Sequence, residues 1–170
     1  MAGSSRAIIS VIEIYDSKTL RESKDVWARE VSIALRLLQR SVDAFDESVA
    51  ARLGINRTDL RCLDIVLGST RSAGELAAGL RLSPAAMTTV IDRLERAGWV
   101  KRSRDPDNRR RVLVAATEAA REAEQRIYLP VGTAGREALQ RYDERELATI
   151  LDFLRTARRV QEEQAARIVG

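Results

Sequence analysis

The chain has no histidine, and Cys62 is the single cysteine among 170 residues. Without histidine, no triad that relays a proton through an imidazole can be built. One cysteine rules out a disulfide within the chain, and a Cys/His metal cage cannot be assembled. No glycine-rich phosphate-binding loop is present. No apolar run approaches the ~18 residues of a membrane span. Residues 1–24 lack the long apolar core and small-residue cleavage site of a signal peptide. These absences argue against an enzyme, a cofactor or a membrane protein, and the expected location is the cytoplasm.

What is present is a globular composition, 45% hydrophobic and 32% charged. The length suits one domain, or a domain with a helical extension, and allows a real core. The net charge is only +4. Residues 101–111 hold Lys101, Arg102, Arg104, Arg109, Arg110 and Arg111 against Asp105 and Asp107, a local excess of +4 that equals the excess of the whole chain. Positive charge is therefore concentrated at one place. A basic run is usually a solvated surface, so its meaning depends on what precedes it.

What precedes it is a pair of short helices. Ser72 followed by Glu75 has capping-box spacing and predicts a helix with Leu76, Ala77 and Leu80 inward. Leu82 falls in a turn. Ser83-Pro84 opens a second helix, serine capping free backbone donors and proline filling the first helical position. Met87, Val90, Ile91 and Leu94 share its inner face, and Gly98 ends it. The outer face carries Ala85, Thr88, Thr89, Asp92, Arg93 and Arg96. Its first turns are small and polar, a surface that can enter a major groove. Two helices joined by a tight turn, the second facing outward, form the helix-turn-helix plan. Trp99–Arg102 and Val112–Ala115 then flank the turn cluster Asp105-Pro106-Asp107-Asn108, which predicts a two-stranded hairpin with a charged tip.

This stretch resembles the winged helix of the MarR (multiple antibiotic resistance regulator) family of bacterial transcription factors. The matching residues are Gly74-Glu75-Leu76-Ala77, Leu82-Ser83-Pro84, Thr88, Asp92-Arg93-Leu94-Glu95, Gly98-Trp99-Val100, Arg102, Asp105-Pro106, Arg109-Arg110 and Val112-Leu113-Val114 before Thr117. Two positions depart from the family pattern. Asn108 stands where an aspartate is common, and Thr89 where a basic residue is frequent.

Periodicity outside this stretch predicts long helices. One runs from about Asp25 to about Ala51, with Val26, Trp27, Val31, Ala34, Leu35, Leu38, Val42, Phe45 and Val49 on one stripe. A second begins at Arg57 or Thr58, with Leu60, Leu63, Val66 and Leu67 inward. Thr117 caps a third, in which Pro130 predicts a kink or break near Leu129. Asp143 and Glu146 resemble a capping box, and the last helix continues to about Ile168, burying Leu147, Ile150, Leu151, Leu154 and Val160. Before all of these, Ile8, Ile9, Val11, Ile12, Ile14 and Tyr15 fit either a helix face or a strand, and Asp16-Ser17 reads as a break.

The expected fold is mainly α with a small β-hairpin wing: a winged helix-turn-helix core plus long N- and C-terminal dimerisation helices. Residues 1–24 form an extension of uncertain structure, 25–56 the first dimerisation helix, 57–116 the DNA-binding domain and 117–170 the C-terminal dimerisation helices. Apolar stripes of this length mark an interface, and a two-fold dimer is the commonest way to bury them. The resemblance implies the same, because family members dimerise through their first and last helices.

Candidate DNA contacts are Ser83, Ala85, Thr88 and Thr89 in the major groove, with Arg93 and Arg96 on phosphates. A surface pair with Asp92 or Glu95 is the plainer reading of Arg93. On the wing, Arg110 is placed for a minor groove, with Arg102, Arg104, Arg109 and Arg111 around it. Cys62 reads as a small packing residue, with peroxide sensing as its alternative. The resemblance further implies a small aromatic or phenolic effector between the dimer helices and the winged helix, for which Trp27, Arg36, Arg40, Arg126 and Tyr128 are candidates. The expected function is a homodimeric regulator, expected to be a repressor, that binds a palindromic double-stranded operator and is released by a small molecule. The alternatives are a winged-helix adaptor that binds protein and a redox-sensing regulator acting through Cys62.

Overall fold

The computed structural model describes residues 4–106, 108 and 111–169, with side chains described for 23–106, 108 and 111–168. The elements in order are α1 (Ser4–Leu53), α2 (Arg57–Gly68), β1 (Arg71–Ser72), α3 (Ala73–Leu80), α4 (Pro84–Arg96), β2 (Val100–Arg104), β3 (Val112–Ala116), α5 (Glu118–Leu139) and α6 (Glu144–Val169). The fold is mainly α with a small antiparallel sheet. None of the described helices is long and apolar enough to cross a membrane.

The local signals act where the sequence places them. Asn56 caps α2 by accepting from the Asp59 amide at 3.0 Å. Ser72 and Glu75 form a complete capping box at α3, and Ser83 caps α4 with Pro84 in its first turn. Thr117 caps α5. Asp143 and Glu146 exchange both capping hydrogen bonds at α6, 2.8 and 2.9 Å. Gly98 has φ +80°, a backbone that suits glycine.

Three expectations are corrected. The apolar segment at residues 8–15 is helical, and Asp16-Ser17 does not break it: α1 is one helix of 50 residues, about 75 Å long. The helix expected to start at Asp25 is therefore only its second half. Pro130 does not break α5, which runs unbroken through it. Arg126, Leu129 and Pro130 lie on the exposed side, so the carbonyl that loses its amide partner faces water. The hairpin is also not alone. β1 pairs with β3 and gives the sheet order β1-β3-β2, so the sheet has three strands where the sequence predicts two. Within this single chain the stripe on α6 is left uncovered: Leu151, Leu154, Val160 and Ile168 are exposed, as are Val26, Trp27, Val31, Leu38 and Val42 on α1.

The core belongs to the winged helix. Leu63 and Val66 of α2, Leu76 of α3, Met87, Ile91 and Leu94 of α4 and Val114 of β3 are fully buried together. Cys62 lies in the same cluster with no exposed surface. Burial, and then the nearby charge of Asp59, push its thiol up to about 12. At neutral pH it is a thiol, not the thiolate that peroxide oxidises. A smaller cluster of Val49, Ala50 and Leu60, with Phe45, Ile127 and Tyr128 against it, joins α1 and α5 to α2.

At that junction Asp64 of α2 carries a carboxyl raised to about 6, first by burial, then by Asp46 of α1 and Glu124 of α5. A folded pKa above the unfolded one means that the folded chain takes up the proton first, so the penalty of ionisation fades as pH falls through about 6. Asp64→Asn should therefore be more stable than the wild type at about pH 7.5, with the gap narrowing as pH falls below about 6 and closing only by about pH 3.5, below the ordinary carboxylate pKa, in urea unfolding. The gap should be modest because the residue keeps solvent contact. An equal gap at both pH values would contradict the assignment. For Cys62, a disulfide-exchange reagent should leave the folded thiol unmodified and react only upon unfolding. Cys62→Ser should leave any response to peroxide unchanged, and loss of such a response in the serine variant would revive the redox reading.

Candidate DNA-binding surface

The helix-turn-helix is formed by α3 and α4. The turn between them is closed by Arg81 in a left-handed conformation, φ 55° and ψ 44°, from which its amide bonds back to α3. Leu82 then packs on the core, and Ser83 starts α4. The inner face of α4 is fully engaged through Met87, Val90, Ile91 and Leu94. Its outer face exposes Ser83, Ala85, Thr88, Thr89 and Arg96. Both threonine hydroxyls donate to the helix itself, Thr88 Oγ1 to the Pro84 carbonyl at 3.0 Å and Thr89 Oγ1 to the Ala85 carbonyl at 3.2 Å.

The charged residues next to this face are tied inward. Arg93 does not pair with Asp92 or Glu95. It reaches across to α2, where Nε and Nη2 hold the two carboxylate oxygens of Asp59, the Nε contact at 2.9 Å. Asp59 is buried, and this two-point pairing is what makes its burial tolerable. The hydrogen bond to Asp59 also raises the pKa of Arg93, so the guanidinium stays charged. Asp92 and Glu95 are taken by Arg102 of β2, whose Nη1 lies 2.6 Å from Glu95 Oε2. Arg102 thus fastens the wing to α4.

The wing pairs Val100 with Ala116 through to Arg104 with Val112. Near its tip the Asp105 amide donates to the Arg111 carbonyl at 3.1 Å, and the Arg111 amide to the Asn108 carbonyl at 2.8 Å. Arg111 lies 3.3 Å from Glu75 and 3.7 Å from Asp105. Hydrogen bonds from the Ser72 backbone and side chain, then the nearby Arg111 and Arg71, hold the Glu75 carboxyl below its ordinary pKa. The capping box of α3 therefore doubles as an anchor for the wing.

The predicted DNA-contacting residues consequently divide. Ser83, Ala85, Thr88, Thr89, Arg96 and Arg104 are exposed around α4 and the wing. Arg93, Arg102 and Arg111 are in ion pairs. Arg109 and Arg110 lie outside the described residues. Arg81, exposed in the turn ahead of α4, was not singled out from the sequence, because a non-glycine left-handed residue leaves no local signature. Asp59 was missed too, as its partner is 34 residues away.

The five candidate effector residues do not gather in one place. Trp27 is 68% exposed on α1. Arg36 and Arg40 line a small hollow with Ile33 and Leu37. Tyr128 packs edge-on against Phe45 at 5.6 Å. Arg126 borders a larger hollow of about 490 Å³ with Arg52, Leu53, Trp99, Ala123 and Ile127. Trp99 is fixed there by a 3.1 Å hydrogen bond from its indole to the Leu53 carbonyl.

Comparison with known proteins places this geometry. A family model described as the MarR family matches residues 55–112. The uncharacterized HTH-type transcriptional regulator YcgE of Bacillus subtilis (strain 168) is 34% identical over 125 residues, covering 73% of this chain and 81% of that protein. Among solved structures, YusO from Bacillus subtilis matches with a TM-score of 0.58 at 18% identity, over 81% of this chain and 96% of that one. A cysteine-to-serine variant of MarR from E. coli, complexed with operator DNA, matches with a TM-score of 0.51 at 23% identity, over 72% and 89%. At those identities the two structures establish the fold alone. The relative matched over four fifths of its length, with the family model lying across α2 to the wing, establishes more: this chain belongs to the MarR family of helix-turn-helix transcriptional regulators.

Proposed function

We propose that the protein binds a palindromic operator in double-stranded DNA as a homodimer, represses the adjacent gene, and leaves the DNA when a small aromatic or phenolic anion binds. The observation that carries this reading is the outer face of α4. It is small and exposed, and is flanked by Arg81, Arg96 and Arg104, none of which has an ion-pair partner among the described residues. Such a face fits a major groove, and unpaired arginines beside it are free to neutralise phosphates. Arg93, Arg102 and Arg111 serve instead to hold α4 and the wing in place. The MarR structure complexed with operator DNA shares this fold.

Homodimerisation is the reading that accounts for the exposed apolar residues of α1 and α6. Left in water, stripes of this length would aggregate, and two-fold pairing covers them. The domains follow the same division: residues 57–116 read DNA, and the flanking helices, 25–56 and 117–170, join the protomers. For the effector, the hollow beside Arg126 suits an aromatic anion better than the scattered side chains of α1. Arg52 and Arg126 line it together with Leu53, Trp99, Ala123 and Ile127, and its volume lies in the range of small-molecule sites. A protein-binding adaptor is the second reading, favoured by the neutralisation of three arginines within the chain.

Titration against duplex DNA at several salt concentrations separates the two readings. Affinity should fall steeply with salt, and Arg104→Ala should flatten the log–log slope by about 0.9, the signature of one lost phosphate contact. The binding species should be a dimer by light scattering, with half-sites about 34 to 36 Å apart or a multiple of that. A monomer at micromolar concentration, or no salt-dependent DNA binding, would contradict the reading and favour the adaptor.

A further inference from the structure

The two threonines of α4 are polar in the sequence but present something different on the surface. A backbone carbonyl can only accept a hydrogen bond. The contacts from Thr88 Oγ1 to Pro84 O and from Thr89 Oγ1 to Ala85 O therefore fix both hydroxyl protons toward the helix. What remains outward on each is a methyl group and oxygen lone pairs. Ala85 adds a methyl beside them, and the Ser83 hydroxyl oxygen accepts from the Ala86 amide at 3.2 Å.

The charged groups one turn further along do not change this. Asp92 is held by Arg102 and Arg93 by Asp59. Arg96, the one unpaired cation on α4 among the described residues, lies at the helix's C-terminal end. It is two turns beyond Thr88, about 12 Å along the axis. Helices of this motif present their N-terminal residues to base edges. The part of α4 that enters a groove thus offers methyls and the acceptor oxygens of two threonines; the Ser83 hydroxyl ahead of it is a neutral donor, and no cationic donor is present.

The four base pairs differ in what they display to such a surface. Guanine shows two acceptors, O6 and N7, and is read by a bidentate arginine or lysine. Facing guanine, Thr88 and Thr89 would set acceptor against acceptor. Thymine shows a C5 methyl, which packs on apolar groups, and the adenine and cytosine amino groups donate to an oxygen lone pair. We propose that Ala85, Thr88 and Thr89 determine sequence specificity by packing on thymine methyl groups, so that the bases beneath the start of α4 in each half-site are A·T pairs with the thymine methyl turned to the protein. This rests on the operator-binding reading above and adds which chemical feature of the operator is read.

The test uses the full-length protein. Duplexes are selected from a random pool by binding, and the enriched half-site is sequenced. Each thymine in it is then replaced singly by deoxyuridine, which removes only the C5 methyl. At one or more thymines of each half-site the replacement should weaken binding about fourfold, the loss expected for one buried methyl. Thr88→Ser or Thr89→Ser keeps the hydroxyl and deletes the methyl. One of these variants should become indifferent to the same replacement, while Thr88→Val and Thr89→Val, which keep a methyl, should still respond to it. Should an enriched half-site tolerate deoxyuridine everywhere and lose affinity instead when guanine is replaced by 7-deazaguanine, the methyl reading is overturned and operator binding stands. No enrichment of any sequence, with binding absent or indifferent to sequence, would overturn the operator reading itself.

Discussion

Asp59 is a carboxylate inside the core of the winged helix, and one arginine neutralises it. Asn56 orders the start of α2 by capping the Asp59 amide, and Arg93 closes on the side chain from α4. An unpaired charge at that depth would cost several kcal/mol, so the pair sets how α4 sits on α2. Arg102 then ties the wing to α4 through Asp92 and Glu95, and Arg111 ties the wing tip back to α3 through Glu75. Three arginines, each tying together a different pair of segments, hold the outward helix and the wing as one body. Their geometry leaves the exposed tip of α4 to small side chains. The specificity proposed for that tip depends on this arrangement, because a freed Arg93 beside Thr89 would bring a cationic donor to the groove.

The second constraint is apolar. The core of residues 57–116 is complete within one chain, whereas the stripes of α1 and α6 are not. The junction between these two regions is thin: a few side chains around Phe45, Leu60 and Tyr128, with the charges of Asp46 and Glu124 close enough to add to the raised pKa of Asp64. On the other side of α1 the hollow of Arg52 and Arg126 reaches Trp99, which opens the wing strand β2. In the effector reading proposed above, an anion drawn to those arginines would sit between the long helices and the wing.

Most of the winged helix is legible in the sequence because its signals are local. Ser72 and Glu75, Ser83 and Pro84, and Asp143 and Glu146 each act within one helical turn, and the Met87–Leu94 face needs only a period of 3.6. What could not be read is set by distance or by solvent. The partner of Arg93 is 34 residues away, and nearer acids, Asp92 and Glu95, offered a plausible local answer. β1 is two residues long and exists only because β3 lies beside it, so it has no periodicity to detect. Asp16-Ser17 and Pro130 are weak helix formers, yet each sits within a long helix that continues past it. The back-bonding of Thr88 and Thr89 follows from helix geometry, but only the structure reveals that neither hydroxyl is turned outward.

The ion pair of Asp59 and Arg93 is also where the account is most exposed to a single measurement: the salt dependence of DNA binding and the unfolding stability of Arg93→Ala, measured on the same preparation. If Arg93 is a structural tie, the variant loses stability on the order of 3 to 5 kcal/mol, the cost of leaving the buried Asp59 charge without its partner. Removing Asp59 as well should return part of that loss, and the log–log salt slope should match the wild type. If stability is unchanged and the slope flattens by about 0.9, Arg93 contacts a phosphate and not Asp59. The ordering of α4 by buried ion pairing would then be contradicted.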